Sequence, residues 1–157
     1  GQKQWAFPDL NAAAEREADF PTVEDGHDSA FLAPASMIAA VQDACAASGQ
    51  PRPATVGQLM QCLYRSLSAC YRDAIRSLEE LTGVHYTSIN IVGGGCQDMY
   101  LNRMTAWATG LPVYAGPVEG TAIGNLAVQM IGAGELADLA AARSCIRRSF
   151  DVREILP

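Results

Sequence analysis

SINIVGGGCQD, residues 88–98, is the stretch that decides how this chain folds. Its first half is apolar and β-branched, which favours a buried strand. Three glycines then remove every Cβ where the strand ends, so the chain can turn there and a ligand can lie against the backbone. The N-terminal N–H groups of a following helix would face this turn and favour an anion or a polar ligand edge. The stretch therefore predicts a strand, a glycine turn and a helix.

The glycine turn has two interpretations that the residues alone leave open. In the first, the bare backbone lets a ligand approach closely. In the second, one glycine supplies a positive φ for a tight turn and the other two are merely tolerated. The triplet lacks the remaining residues of a complete phosphate-binding loop, so the motif by itself does not decide between a ligand site and a turn.

Composition bounds the class of protein. The 157 residues are 49% hydrophobic, which is sufficient for the core of one domain. The net charge is −6 and the 11 Lys and Arg residues are scattered, which argues against a nucleic-acid surface. No apolar run of about 18 residues is present, and the first twenty residues lack the order of a signal peptide. We expect an acidic cytoplasmic protein with neither nucleic acid nor membrane as partner.

Helical periodicity and capping residues divide the rest of the chain. A capping box at Thr55 and Gln58 predicts the start of the longest helix, and Gly83 predicts its end. Further helices are expected over residues 10–18, 34–49, 97–109, 121–131 and 140–148, with an irregular tail over 150–157. A second short strand is expected over 111–115. Strand, helix, strand and helix at these lengths predict a right-handed βαβ unit with parallel strands.

Two parallel strands do not make a stable sheet, because parallel sheets are buried on both faces and need several strands. The missing strands are therefore expected from elsewhere, either another part of a longer polypeptide or another chain.

The cysteines and one histidine are the remaining candidates for chemistry. The five cysteines show no C-x-x-C spacing, which argues against a zinc site. A helical hairpin could bring Cys45 and Cys62 together, and a cytoplasmic setting favours free thiols over a disulfide there. His27 lies alone in a polar loop, which favours an exposed side chain over a ligand.

Five stretches occur in order along the chain: FLAP at 31–34, SGQP at 48–51, IVGGGCQ at 91–97, AGPVE at 115–119, and IGN at 123–125 with Gln129. Taken together they resemble the C-terminal part of the FGGY family of carbohydrate kinases, from about Trp5 to Pro157. The resemblance implies an α/β fold that is part of a ribonuclease-H-like (actin-like ATPase) domain, helix-rich with a short parallel βαβ unit. Residues 1–157 would be the C-terminal portion of that ATPase domain, and the amino-terminal sugar domain would be absent.

The resemblance also implies where ATP binds. The family's loop that matches Gly93 to Gly95 lies against adenosine, with Gly94 as the first candidate and Gly93 and Gly95 beside it. Asp98 stands where the family usually has Asn, and its carboxylate could accept hydrogen bonds from the ribose hydroxyls. No catalytic residue is expected in this chain, and the ligands of Mg²⁺ and the catalytic aspartate would precede it.

The implied activity is transfer of the ATP γ-phosphoryl group to a ketose sugar. Within the family the resemblance is greatest to kinases that convert L-rhamnulose to L-rhamnulose 1-phosphate. Alternatives are another family member acting on xylulose, ribulose, fuculose or glycerol, or a non-catalytic nucleotide-binding or interaction module. The stretch 116–125 has polar residues, Glu119 and Asn125, near a strand end. A structural role is nevertheless favoured for the stretch, because its small residues would let the helix pack closely beside the glycine loop. The chain would need the remainder of the kinase as its partner and is expected to be inactive alone.

Overall fold

The structure is a computed structural model that describes residues 5–26 and 28–157, so the expectation for His27 lies outside the described residues. The chain forms two compact units that divide between Val84 and His85. The first contains helices α1 (Phe7–Glu15), α2 (Met37–Ala47) and α3 (Val56–Thr82), and a 3₁₀ turn at Ser29–Phe31. The second, in chain order, contains β1 (Ile89–Ile91), a 3₁₀ turn (Gly94–Gln97), α4 (Met99–Thr109), β2 (Val113–Ala115), α5 (Gly120–Gly132), α6 (Leu139–Ser149) and β3 (Arg153–Ile155).

The ends of α3 lie where the capping residues predict them. The hydroxyl of Thr55 accepts a hydrogen bond from the backbone N–H of Gln58 (3.1 Å), and Gln58 Oε1 accepts from the N–H of Ala54 (3.0 Å). Gly83 ends the helix in the left-handed conformation with φ +67°. The predicted capping box and the glycine cap are confirmed.

The core of the first unit brings the two cysteines of the expected helical hairpin together. Cys45 on α2 and Cys62 on α3 are fully buried beside Val41, and their sulfur atoms lie 3.9 Å apart. Both thiols are free in the structure. Burial raises the pKa of Cys45 to about 12 and also raises the pKa of Cys62. These thiols therefore stay protonated and pack as small apolar groups.

Apolar residues recur at helical spacing along α3 from Leu59 to Leu81, a pattern that predicts a buried face. Leu59 and Leu63 pack against the Cys45–Cys62 core, whereas Leu78 and Leu81 are 47% and 83% exposed. The predicted burial therefore holds near the N-terminal end of the helix and is wrong near its C-terminal end. Periodicity predicts an apolar face but not the length of the partner that covers it.

The second unit is built on a three-stranded sheet in the order β1-β2-β3. β1 and β2 are parallel, which confirms the βαβ unit, and β3 pairs antiparallel to β2 with Ile155 opposite Val113. No strand was expected in the tail at 150–157, which instead supplies the third strand. The expectation that further strands must come from elsewhere was therefore wrong for β3. A three-residue strand leaves almost no local pattern, because its stability comes from pairing with residues far along the chain.

Helix α4 packs on the sheet mainly with small and polar side chains, and its largest apolar side chain stays outside the core. Asn102, Thr105 and Ala106 are buried, whereas Trp107 is 75% exposed. Ala106 joins Val113, Ala115, Ile155 and Cys96 in the core of this unit. A helix that packs close to a sheet needs small side chains, or polar side chains that hydrogen-bond within the protein. The periodicity of large apolar residues does not predict such a face.

Candidate functional site

The loop after β1 exposes its two central glycines. Gly94 and Gly95 lie in the 3₁₀ turn and are exposed; together they are called the glycine crest below. A Cβ added to Gly94 would meet no atom within 4 Å, and one added to Gly95 would meet only Ile91 Cγ2 at 3.7 Å, an ordinary contact. Packing within the chain therefore does not require glycine at either position, and the bare backbone is open to a flat ligand.

Gly93 is glycine for a different reason. Its φ of +76° with ψ of −161° is a conformation that L-residues rarely adopt. Its N–H donates to the carbonyl of Pro117 at 3.2 Å, which ties the start of the loop to the segment after β2. Gly93 thus allows the chain to turn, and the glycine crest that follows it exposes its backbone to solvent.

Asp98 lies at the end of the same loop and caps α4. Its Oδ1 accepts a hydrogen bond from the N–H of Leu101 at 3.1 Å, and the side chain is only 4% exposed. The helix consequently begins at Met99 rather than at Gln97 as expected, since the 3₁₀ turn occupies the residues between. The structure shows this carboxylate as a helix cap, and its contact with a ribose stays a prediction.

Two further groups anchor the loop from below. Cys96 turns its side chain into the core of the second unit. The side-chain amide of Asn102 donates from Nδ2 to the carbonyl of Cys96 at 3.1 Å, and Asn102 is 1% exposed. Asn102 was not among the candidate residues predicted from the sequence, although one signal was present. It follows Asp98 by one helical turn, on the same face as the buried Ala106.

The segment after β2 runs beside this loop at the same end of the parallel pair. Gly116 has φ +125°, and a Cβ there would overlap the carbonyl of Asp151. A Cβ on Gly120 would lie 2.8 Å from the Cβ of Val92, so the start of α5 closely approaches the residue that follows β1. Glu119 and Asn125 are both exposed. This close packing agrees with the structural role favoured for the segment.

Two cavities flank the strand ends of the second unit, and neither is lined by the glycine crest. The first, of about 460 Å³, includes Arg143 and Arg147 of α6. Arg147 stacks over the ring of Tyr114, 5.4 Å from its centroid. The hydroxyl of Tyr114 donates to Glu154 Oε1 at 2.8 Å, which raises the pKa of Tyr114. The second cavity, of about 370 Å³, is lined by Cys96, Gln97, Ala115, Val118, Asp151 and Arg153.

Metal ligation and membrane crossing were searched over residues 5–26 and 28–157. Within these ranges no group of three or more His, Cys, Asp or Glu side chains is placed to hold a metal ion. None of the helices in this part of the chain is both long and apolar enough to cross a membrane.

Comparison with known proteins gives the chain a family. The C-terminal domain of the FGGY family of carbohydrate kinases matches residues 2–133. The rhamnulokinase of Enterococcus faecalis is 41% identical over 149 residues, which cover 94% of this chain and 30% of the relative. The rhamnulokinase of Bacillus subtilis is 38% identical over 156 residues, 99% of this chain and 32% of the relative.

A third relative, the rhamnulokinase of Lactiplantibacillus plantarum, is 37% identical over 154 residues, 98% of this chain and 32% of the relative. The chain therefore spans about a third of the length of these curated relatives. The family match ends before α6 and β3, whereas the three relatives align over almost the whole chain. With its strand, glycine loop and helix inside the matched domain, the chain belongs to the FGGY family of carbohydrate kinases.

Proposed function

We propose that this chain is the C-terminal part of a kinase that transfers the γ-phosphoryl group of ATP to the 1-hydroxyl of L-rhamnulose. The observation that carries the substrate assignment is the alignment of the three rhamnulokinases over 94–99% of the chain at 37–41% identity. The proposal keeps the expected cytoplasmic location. A ketose sugar and the remainder of the kinase polypeptide are then the partners of this chain.

The glycine crest is the adenosine wall in this proposal. Gly94 and Gly95 are exposed and have free space where a side chain would stand. A purine and its ribose can lie flat against such a backbone, and a branched side chain would take their place. The anchored ends of the loop support the assignment, since a preformed surface binds without the entropic cost of ordering.

The remaining chemistry is assigned outside the described residues of this chain. ATP supplies the phosphoryl group, and Mg²⁺ neutralises charge on the phosphates when it is bound. We place the ligands of Mg²⁺ elsewhere in the kinase polypeptide, as the resemblance to the family implies. This chain would bind and orient the adenosine end of the nucleotide, which contributes by positioning, and would not catalyse transfer alone.

The test is a coupled ADP-release assay on the full-length protein that contains this chain. L-rhamnulose is compared with xylulose, ribulose, fuculose and glycerol at matched concentrations. We expect the highest kcat/KM with L-rhamnulose. A preference for another of these substrates would overturn the substrate assignment and leave a different sugar kinase. ADP release with none of them would favour a non-catalytic nucleotide-binding or interaction module.

A further inference from the structure

We propose that Asn102 is a positioning residue that holds the glycine crest in the shape that receives the nucleotide. The proposal rests on the proposed function, because it assigns a partner to the same adenosine wall. Asn102 lies on the buried side of the loop. It acts on the crest indirectly, through a hydrogen bond to the carbonyl of Cys96.

The contact is a buried one with one clear donor and one clear acceptor. Asn102 Nδ2 donates to Cys96 O at 3.1 Å, and the residue is 1% exposed. Cys96 directly follows the crest, and its side chain lies in the core with Ala106 and Val113. The residue after the crest is therefore held both by its side chain and by its carbonyl.

The other end of the crest and the end of the loop are also fixed. The N–H of Gly93 donates to Pro117 O, and Asp98 caps α4 through the N–H of Leu101. Between these points the crest has no side chain of its own to hold it. Glycine loses more conformational freedom on ordering than any other residue, so the anchors must supply the order.

Loss of the Asn102 amide would leave the Cys96 carbonyl without this donor. A buried carbonyl that loses its partner seeks another, and the 3₁₀ turn would then shift or fluctuate. The crest would become less well ordered while the sugar-binding parts of the kinase, which lie outside this chain in the proposal, would not change. The expected signature is a defect selective for ATP.

The experiment compares Asn102→Leu with Thr105→Val in the full-length protein. Thr105 is a matched control, because it lies on the same helix and is also 1% exposed. Its hydroxyl donates to the carbonyl of Leu101 within α4 at 2.8 Å and does not reach the crest. Each substitution keeps the number of side-chain heavy atoms unchanged and removes one side-chain hydrogen bond, which is buried for Asn102 and partly buried for Thr105.

Two readouts separate positioning from a general loss of stability. We expect Asn102→Leu to raise the KM for ATP about tenfold and to leave the KM for the sugar unchanged, whereas Thr105→Val changes neither. We also expect faster amide hydrogen exchange at residues 94–97 in Asn102→Leu only. If the leucine variant does not fold, Asn102→Ala is judged by the same two measurements.

Equal KM values for ATP and equal exchange at residues 94–97 in the two variants would overturn the role of Asn102. Failure of the proposed function gives a different result, namely a wild-type protein that releases no ADP with any sugar. In that case hydrogen exchange still decides whether Asn102 orders the crest.

Discussion

The two loops that follow the parallel strands both contain glycine soon after the strand ends. They differ in what occupies the space where a glycine side chain would lie. The loop after β1 carries Gly94, where an added Cβ would meet nothing within 4 Å. The loop after β2 carries Gly116, where an added Cβ would overlap the carbonyl of Asp151. One glycine therefore faces open space, and the other is covered by the tail of the same chain.

This difference shows that glycine after a strand has no single meaning. Gly116 is needed for the fold, since its φ of +125° and its contact with Asp151 both exclude a side chain. Gly94 has no positive φ and no neighbour that would exclude a side chain. The described residues give no steric reason for glycine at this position, and the proposed contact with adenosine would give one.

The largest effect is expected for Gly116→Ala. The new Cβ would strain a backbone conformation that only glycine adopts easily and would push against the Asp151 carbonyl. Backbone strain and steric overlap each cost roughly 1–3 kcal/mol. Taking a value in the lower half of each range, we expect the free energy of unfolding to fall by about 3 kcal/mol in total. Urea denaturation of the full-length protein measures it.

Gly94→Ala is the matched control for that measurement. Its Cβ points into open space, so we expect its free energy of unfolding to stay within about 0.5 kcal/mol of the wild type. Equal losses of stability in the two variants would mean that the two loops do not differ as described.

The sequence was sufficient for the outline of this comparison but not for its decisive detail. The β-branched run before Gly93, the glycine turn and the parallel βαβ unit were predictable, because strand, turn and helix signals are local. What covers Gly116 was not, because Asp151 comes much later in the chain and the adjoining strand β3 has only three residues.

The candidate site divides in the same way. The glycines could be selected from the sequence, and the resemblance of this stretch to a family loop predicts that they contact adenosine. Asn102 was not selected, because a polar residue in a helix is ordinarily assigned to solvent and its spacing from Asp98 is by itself a weak signal. Its role depends on a contact with Cys96 O that only the folded 3₁₀ turn creates.

The second effect, on ligand binding, is expected for Gly94→Val. A branched side chain on the crest would occupy the place assigned to adenosine, while the chain itself offers it free space. We expect the KM for ATP to rise by about tenfold or more, equivalent to at least about 1.4 kcal/mol, with a far smaller change in the KM for the sugar. Steady-state kinetics at saturating sugar and at saturating ATP measure the two constants.

Gly132→Val serves as the control for an added branched side chain. Gly132 ends α5 and also has no atom within 4 Å of an added Cβ. We expect its ATP constant to match the wild type. An ATP constant that is unchanged in Gly94→Val as well would remove the glycine crest from the nucleotide site.

The smallest effect is expected at Asp98, where the open loop meets α4. Asp98→Ala removes the side-chain cap on the N–H of Leu101, which we expect to lower the free energy of unfolding by about 1 kcal/mol. Asp98 is also the last residue of the glycine loop, so loss of the cap should loosen the loop. We expect the KM for ATP to rise about twofold to fivefold, which is less than the rise of about tenfold expected for Asn102→Leu. Urea denaturation and ATP kinetics are measured on the same preparation.

Asp98→Asn separates the cap from a contact with the nucleotide. Asparagine caps helices about as well as aspartate, so stability should return to within a few tenths of a kcal/mol of the wild type. We expect the KM for ATP to return with it, because the 4% exposed carboxylate is turned to Leu101 and acts on the loop through the helix start. If Asp98→Asn restores the free energy of unfolding while the KM for ATP stays raised, the carboxylate itself contacts the nucleotide. Adenosine would then be bound by a charged side chain as well as by the backbone of the glycine crest.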